Sequence, residues 1–280
     1  MCTLVILRQP DAAWPLLLAA NRDELRSRPW RAPGRHWPDR ADVVAGMDEL
    51  AGGSWLGIND YGVVAAVLNR VGSLGPAEDK RSRGELVLEA LDHATAHAAA
   101  SALSDLNPDA YRPFNLIVAD AREAYWVRHA GGLPGFGFRT AQGEWREVSA
   151  IHLPEPSGEA GFGRGGPGRP VECHAIPHGL SMITARDLND AESPRIRRYL
   201  PRFRRAPAPD PETEDWAGWA ELMAAREGDE SDPRNAMAIE TDGDYGTVCS
   251  SFVALSASGR MVMRFAAGLP GEARFETVAI

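Results

Sequence analysis

An α+β architecture of antiparallel sheets covered by helices follows from three features of the chain. Short segments of strand character fill the beginning, helix-spaced apolar residues occupy the middle, and strand character returns from Ser251 to Val278. The strict strand-helix alternation of a doubly wound fold is not the pattern seen.

Taken in order, Cys2 to Arg8, Leu16 to Asn21, Val43 to Met47, Ser54 to Ile58 and Val63 to Leu68 read as strands. Pro10-Asp11, Gly52-Gly53 and Asn59-Asp60-Tyr61-Gly62 supply the turns between them. Ser82 and Glu85 stand at capping-box spacing, and Val87, Leu91, Ala94 and Ala98 then recur on one helical face, which predicts one long amphipathic helix. Phe114 to Ala119 and Ala124 to Arg128 predict a hairpin, Gly131 to Arg169 is loop-rich, and Val171 to Ile176 predicts a strand. Ser193-Pro194 is a cap followed by an N1 proline, opening a helix with Ile196, Leu200 and Phe203 on one face. Trp216, Trp219 and Met223 predict another helix, and Ser251 to Leu255, Met261 to Phe265 and Arg274 to Val278 predict strands.

Composition narrows the function. The 280 residues carry 30 Lys+Arg against 39 Asp+Glu, a net charge of -9, with 44% hydrophobic and 25% charged residues. Such a balance is that of an ordinary globular protein, and it argues against general nucleic-acid or membrane-surface binding, which needs a dense basic face. The apolar run Leu16 to Ala20 is too short for a signal core or a membrane span, so a cytoplasmic protein without membrane insertion is expected. Three scattered cysteines, Cys2, Cys173 and Cys249, do not make a disulfide framework.

Several motif-like strings carry little. Gly161-Phe162-Gly163-Arg164-Gly165-Gly166 fits a dinucleotide fingerprint, yet no strand pattern feeds it and no helix pattern leaves it. Cys173, His174 and His178 have no second ligand pair, and a strand turns Cys173 and His174 to opposite faces; no metal and no cofactor are expected. Cys2 is different. If Met1 is removed, one residue carries both a thiol and a free amine, and an amine titrating near pH ~8 can take the proton of a thiol titrating near ~8.5. Such a nucleophile also needs a group to orient the amine, a cation to favour the thiolate and donors for the oxyanion. Taken alone, a cysteine at position 2 reads as an accident of a chain start.

Its context adds to this. Met1-Cys2-Thr3-Leu4-Val5, Asn21-Arg22-Asp23-Glu24, Ala51-Gly52-Gly53-Ser54-Trp55-Leu56-Gly57-Ile58-Asn59 and Ser82-Arg83-Gly84-Glu85-Leu86 together resemble the NRDE family, also called the transport and Golgi organisation family. Gly57 to Val63, followed by Leu68-Asn69, also resembles choloylglycine hydrolases and penicillin V acylases, which are N-terminal-cysteine hydrolases. The resemblance implies a four-layer αββα sandwich of the N-terminal-nucleophile type, formed as one domain over residues 1–280 with a loop-rich insertion near 131–169.

Carried over residue by residue, the resemblance makes Cys2 the nucleophile and its amine the base. Asp23 would hold the amine, Arg22 would stabilise the thiolate or a substrate carboxylate, and Asn69 would present its amide to the oxyanion. Each has a structural alternative: a turn in which Asn21 and Asp23 bond backbone amides while Arg22 meets a surface acid, and a strand-end asparagine at 69. Asn21 is a further candidate for substrate contact. The second half departs from the family pattern. Met182 follows Gly179-Leu180-Ser181 where asparagine is usual, and Val248 follows Gly246-Thr247 where many relatives carry arginine. Asn189 is a candidate replacement donor, with helix capping as the competing reading of Asn189 and Asp190, and Arg195, Arg197 or Arg198 are candidate cations. The activity so implied is hydrolysis of a nonpeptide carbon-nitrogen bond in a small-molecule acyl amide through a Cys2 acyl-enzyme. A haem- or lipid-binding carrier on the same fold is the competing expectation, since fold does not determine function.

Overall fold

The computed structural model describes residues 2–131, 136–139, 145–148, 171–228 and 232–280. In chain order its elements are β1 (Thr3–Arg8), β2 (Leu16–Leu25), β3 (Trp30–Gly34), β4 (Val43–Asp48), β5 (Leu56–Asn59), β6 (Val64–Asn69), α1 (Gly84–Leu91), α2 (Ala96–Ser104), β7 (Phe114–Ala119), β8 (Ala124–His129), β9 (Phe136–Arg139), β10 (Trp145–Val148), β11 (Val171–Ala175), β12 (Gly179–Ile183), α3 (Pro194–Arg205), α4 (Ala217–Met223), β13 (Tyr245–Leu255), β14 (Met261–Ala266) and β15 (Glu276–Thr277). A six-stranded sheet runs β12-β1-β2-β13-β14-β15 and a seven-stranded sheet β11-β8-β7-β6-β5-β4-β3, with antiparallel neighbours throughout.

Period-two alternation sorts the apolar residues into three layers of core. Leu4, Ile6, Leu16 and Leu18 meet Val44, Ile58, Val64, Ala66 and Leu68 between the sheets. Val5, Leu17 and Ala19 face the opposite way and pack on Ile196, Tyr199 and Phe203 of α3 and Trp219 and Met223 of α4. On the far side, Val43, Ala65, Leu116 and Val118 pack on Val87, Leu91, Ala99 and Leu103 of α1 and α2. Helix, sheet, sheet, helix: the protein is a four-layer αββα sandwich.

Local differences from the expectation have physical causes. The long helix after Ser82 is two helices, because the chain breaks after Leu91 and restarts with Thr95 accepting from Ala98 N. No capping box forms at Ser82, since Glu85 is drawn away to Arg81 and to the Tyr111 hydroxyl. The Ser193 cap does form, accepting from Ile196 N with Pro194 in the first turn. Strands β3 and β12 add to the expected set, and β3 has little burial to announce it. Cys173 and His174 do lie on opposite faces of β11, Cys173 against the α1/α2 core and His174 against the Trp126 ring. The three described cysteines are all free thiols. Among the described residues no helix is long and apolar enough to cross a membrane, and no three His, Cys, Asp or Glu gather as a metal site. Gly161 to Gly166 lies outside the described residues, as does most of the expected insertion; within it β9 and β10 pair with each other.

Candidate active site

The site forms where β1, β2 and β13 lie side by side at one end of the six-stranded sheet. Thr3 pairs with Asn21, so one step further along this antiparallel register Cys2 falls opposite Arg22, and Cys249 is the partner of Arg22 on its other side. Cys2, Arg22 and Cys249 thus form a row facing the seven-stranded sheet. They open onto a cleft of about 310 Å³, including its mouth, walled by Leu4, Ala20, Trp55, Leu56, Ala66 and Leu68. Cys2 is half-buried, and its Sγ lies 4.0 Å from the Asp23 carbonyl oxygen.

Arg22 is 5% exposed and lies over the Trp55 ring, 4.3 Å from its centroid. The indole takes that position because Gly46 has no side chain: a Cβ there would stand 2.3 Å from the ring. Arg22 Nη2 donates to Asp48 Oδ2 at 3.4 Å and lies 3.9 Å from Glu24, whereas its Nη1 is buried with no hydrogen-bond partner among the described residues.

On the other face of β2 a second group gathers. A bulge between Thr247 and Cys249 shifts the β13 register, which turns Thr247 onto the same face as Asp23. Thr247 Oγ1 donates to Asp23 Oδ1 at 2.6 Å, and Arg195 Nη1, from the first turn of α3, meets Asp23 Oδ2 at 3.1 Å. Arg195 also donates to the Thr3 hydroxyl and, at 2.5 Å, to the Arg234 carbonyl. Side-chain exposures of 3% for Arg195 and 0% for Asp23 make this a buried pair.

The expected residues therefore distribute unevenly. Cys2 and Arg22 share the cleft, and Asp23 lies behind it. Asn21 is a clamp on the far face: its Nδ2 donates to the Met223 and Met237 carbonyls and its Oδ1 accepts from Ser250, so its amide is already committed to the protein. Asn189 is likewise committed, with Oδ1 accepting from Met182 N and Nδ2 donating to Ser181 Oγ, beside strand positions that pair with Val5 and Ile6. It does not reach the Cys2 end of the sheet. Asn69 ends β6, next to Leu68, which lines the cleft, without lining it itself; its amide makes no hydrogen bond among the described residues. Of the candidate cations Arg195 is buried at Asp23 while Arg197 and Arg198 are exposed. Thr3, Trp55 and Thr247 had no chemical signature in the sequence; their places come from strand alternation and from the bulge.

Burial dominates the thiols. It pushes the Cys2 thiol above its ordinary value, with the N-terminal ammonium pulling most strongly the other way and the Arg22 charge least, and pushes Cys249 and Cys173 up as well.

Comparisons with known proteins agree with this architecture. The family model described as Transport and Golgi organisation 2 matches residues 1–155. The human Transport and Golgi organization protein 2 homolog is 37% identical over 117 residues, 40% of this chain and 41% of that protein. The Bos taurus homolog is 38% identical over 113 residues, 39% of this chain and 40% of that protein. The matches thus span about two fifths of the length of these relatives. The mutant C2A conjugated bile acid hydrolase from Clostridium perfringens superposes with a TM-score of 0.50 at 11% identity, covering 99% of this chain and 92% of that one, a likeness of fold. With the family model covering more than half of the chain, and the Asn21-Arg22-Asp23-Glu24 run lying in β2 at the candidate site, the chain belongs to the Transport and Golgi organisation 2 family.

Proposed function

We propose that the protein is an N-terminal-cysteine hydrolase acting on the carbon-nitrogen bond of a small acyl amide. The observation that carries this reading is the row Cys2, Arg22, Cys249 at the cleft, with the buried Asp23-Arg195 pair directly behind it. Loss of Met1 frees an amine on Cys2 between the levels of Arg22 and Asp23. That amine takes the thiol proton as Sγ attacks the carbonyl carbon, forming a C–S bond. It returns the proton to the departing nitrogen as the C–N bond breaks. Water then attacks the thioester, gives its proton to the amine and releases the acid, restoring the thiol. Asp23 orients the amine, Arg22 faces the developing negative charge, and the Asn69 amide is a candidate donor to the oxyanion. The reaction draws on no cofactor. The walls beside Cys2, from Leu4, Ala20, Leu56, Ala66 and Leu68, are apolar and suit an acyl group.

The test begins with intact mass to establish the mature N-terminus, then a panel of acyl amides, N-acyl amino acids and lactones followed by mass spectrometry. Protein beginning at Cys2 is expected to hydrolyse an amide, and Cys2→Ala to lose at least about 10³-fold in turnover while keeping its melting temperature, because the thiol enters only the chemical step. Equal turnover by Cys2→Ala, or by protein retaining Met1, overturns the mechanism. Tight haem or fatty-acyl binding by wild type and Cys2→Ala alike, with no Cys2-dependent product, establishes a carrier instead.

A further inference from the structure

A second arginine at the site is held in an unusual way. Arg83 occupies the position before the first residue of α1, and its Nη1 donates to the Ser73 carbonyl at 2.8 Å, to Ser73 Oγ at 2.9 Å and to the Pro113 carbonyl at 3.0 Å. All three acceptors are neutral. Among the described residues no carboxylate lies within ion-pair distance of it, and its Nε and Nη2 make no hydrogen bond to them, although neither is sealed from solvent. α1 starts against the backbone of Gly53 and Ser54, next to Trp55, and a Cβ on Gly53 would stand 2.4 Å from the Gly84 carbonyl carbon. This contact fixes Arg83 near the ring that carries Arg22. Its anchors lie at the end of β6: Ser73 Oγ accepts from Arg70 N, Pro113 precedes the Phe114 that pairs with Asn69, and Leu68 of the same strand lines the cleft. Burial, with Arg112 adding repulsion, holds its pKa down at about 10, as expected of a desolvated guanidinium without a counter-ion.

Arginines buried to this degree are ordinarily paired. Here two stand with open donors: Arg22 in the cleft wall through a sealed Nη1, and Arg83, beside the end of β6 rather than in the lining, through Nε and Nη2. A planar fork of N–H groups fits a carboxylate in two places at once. Resting on the hydrolase reading above, we infer that the amide substrate carries a carboxylate and that Arg83 is the residue that binds it. The counter-charge missing from the protein arrives with the substrate. Arg83 is a specificity residue, and the apolar walls beside it take the uncharged part of the acyl chain.

The carboxylate belongs either to the departing amine, as in an N-acyl amino acid, or to the acyl group, as in the monoamide of a dicarboxylic acid. Three probes of matched length separate these: N-hexanoylglycine, hexanedioic acid mono-N-ethylamide, and neutral N-hexanoyl-2-aminoethanol. Wild-type protein beginning at Cys2 is expected to prefer one of the two anionic probes over the neutral one by at least about tenfold in kcat/KM, and the preferred probe identifies which side carries the charge. In Arg83→Gln that preference ratio falls at least about tenfold, through KM more than kcat, and Arg83→Lys restores part of it. Equal kcat/KM for charged and neutral probes in wild type, or an unaltered ratio in Arg83→Gln, overturns the inference and leaves the hydrolase reading in place. If no probe is turned over, calorimetry decides the anion site by itself: the anionic probes bind Cys2→Ala protein at least about tenfold more tightly than the neutral probe, and the double variant with Arg83→Gln loses the difference. Absence of that difference overturns the inference. Melting curves of every variant accompany the assays, because Arg83 also anchors the Ser73 turn, and Arg83→Lys carries the test if Arg83→Gln fails to fold.

Discussion

The cleft at Cys2 and the polar cluster around Asn115 are made of the same materials, arginines set among strands with carboxylates near by, and they are completed differently. At Asn115 Arg70 Nη1 donates to Asn115 Oδ1 at 2.7 Å and Nη2 to Asp187 Oδ1 at 2.6 Å. Arg128 Nε reaches the same Asp187 oxygen at 3.1 Å, and its Nη1 reaches Glu172 Oε2 at 2.6 Å. Trp126 Nε1 donates to Asn115 Oδ1, while Asn115 Nδ2 donates to the Thr184 and Arg186 carbonyls. Two cations meet two carboxylates, and the group joins β7 and β8 to the segment that follows β12. At Cys2, by contrast, Arg22 Nη1 has no partner among the described residues and Arg83 has neutral partners alone. A completed network fixes two sheets together; an uncompleted one keeps donors ready for something that is not part of the chain.

Substitutions that remove one member from each network put this contrast to the test. The largest effect is expected at the buried pair behind the cleft. Asp23→Asn removes the negative half of a pair in which both side chains are almost wholly buried, and breaking such a pair costs about 3–5 kcal/mol. Denaturant unfolding should show that loss, and the surviving folded protein should also lose turnover, since the group orienting the amine is gone. Retention of turnover in folded Asp23→Asn would remove Asp23 from the chemistry.

Asn115→Leu comes next. It deletes the hub of the completed network, leaving the Trp126 indole N–H and one Arg70 donor to find other partners, at about 2–3 kcal/mol in unfolding free energy. Turnover per folded molecule is expected to survive, because nothing in this cluster faces Cys2. Parallel loss of turnover and stability would mean that the two networks are coupled through β12 and β1.

The sequence carried the layers better than it carried the site. Alternation in Leu4-Val5-Ile6-Leu7 and Leu16 to Ala19 announces strands with two apolar faces, and two such faces demand helices or sheets on both sides, which the αββα stack provides. The helix break at Asp92 to Thr95 was hidden because Ala94 and Ala98 continue the apolar spacing across it. Within the site, the local run Asn21-Arg22-Asp23 could be read as a group but not sorted: strand period two sends Arg22 into the cleft and Asn21 and Asp23 to the α3/α4 side, giving three neighbours three different environments. Asn189 showed how a polar side chain with a plausible donor can be consumed by two hydrogen bonds of its own β12 segment. Thr247 depends on a bulge at Val248, and Arg83 on the contact between Gly53 and Gly84; each is a property of register or packing that a linear reading does not contain.

The smallest expected effect concerns the thiol itself and is the most direct measure of whether the open network acts on Cys2. Burial holds the Cys2 thiol above its ordinary value, and the N-terminal ammonium and, more weakly, the Arg22 charge work in the opposite sense. A thiol with a raised pKa is protonated at pH 7, so in protein retaining Met1, alkylation by iodoacetamide should be slow there and climb as pH rises through and beyond 9. Removal of Met1 places an ammonium on the same residue, which favours the thiolate and moves the profile to lower pH. Mass-mapped labelling of this processed form at pH 7 should show Cys2 reacting ahead of half-buried Cys173 and of sealed Cys249. Arg22→Gln withdraws a favourable charge, the weakest of those acting on the thiol, raises the thiol pKa further and slows Cys2 labelling by less than about tenfold. Asn69→Ala should leave the labelling rate unchanged, because an amide that bonds only the oxyanion has no contact with the ground-state thiol. Equal labelling of the three cysteines, or a rate indifferent to Arg22, would mean that the donors of the open network address the substrate alone and leave the nucleophile to its own amine.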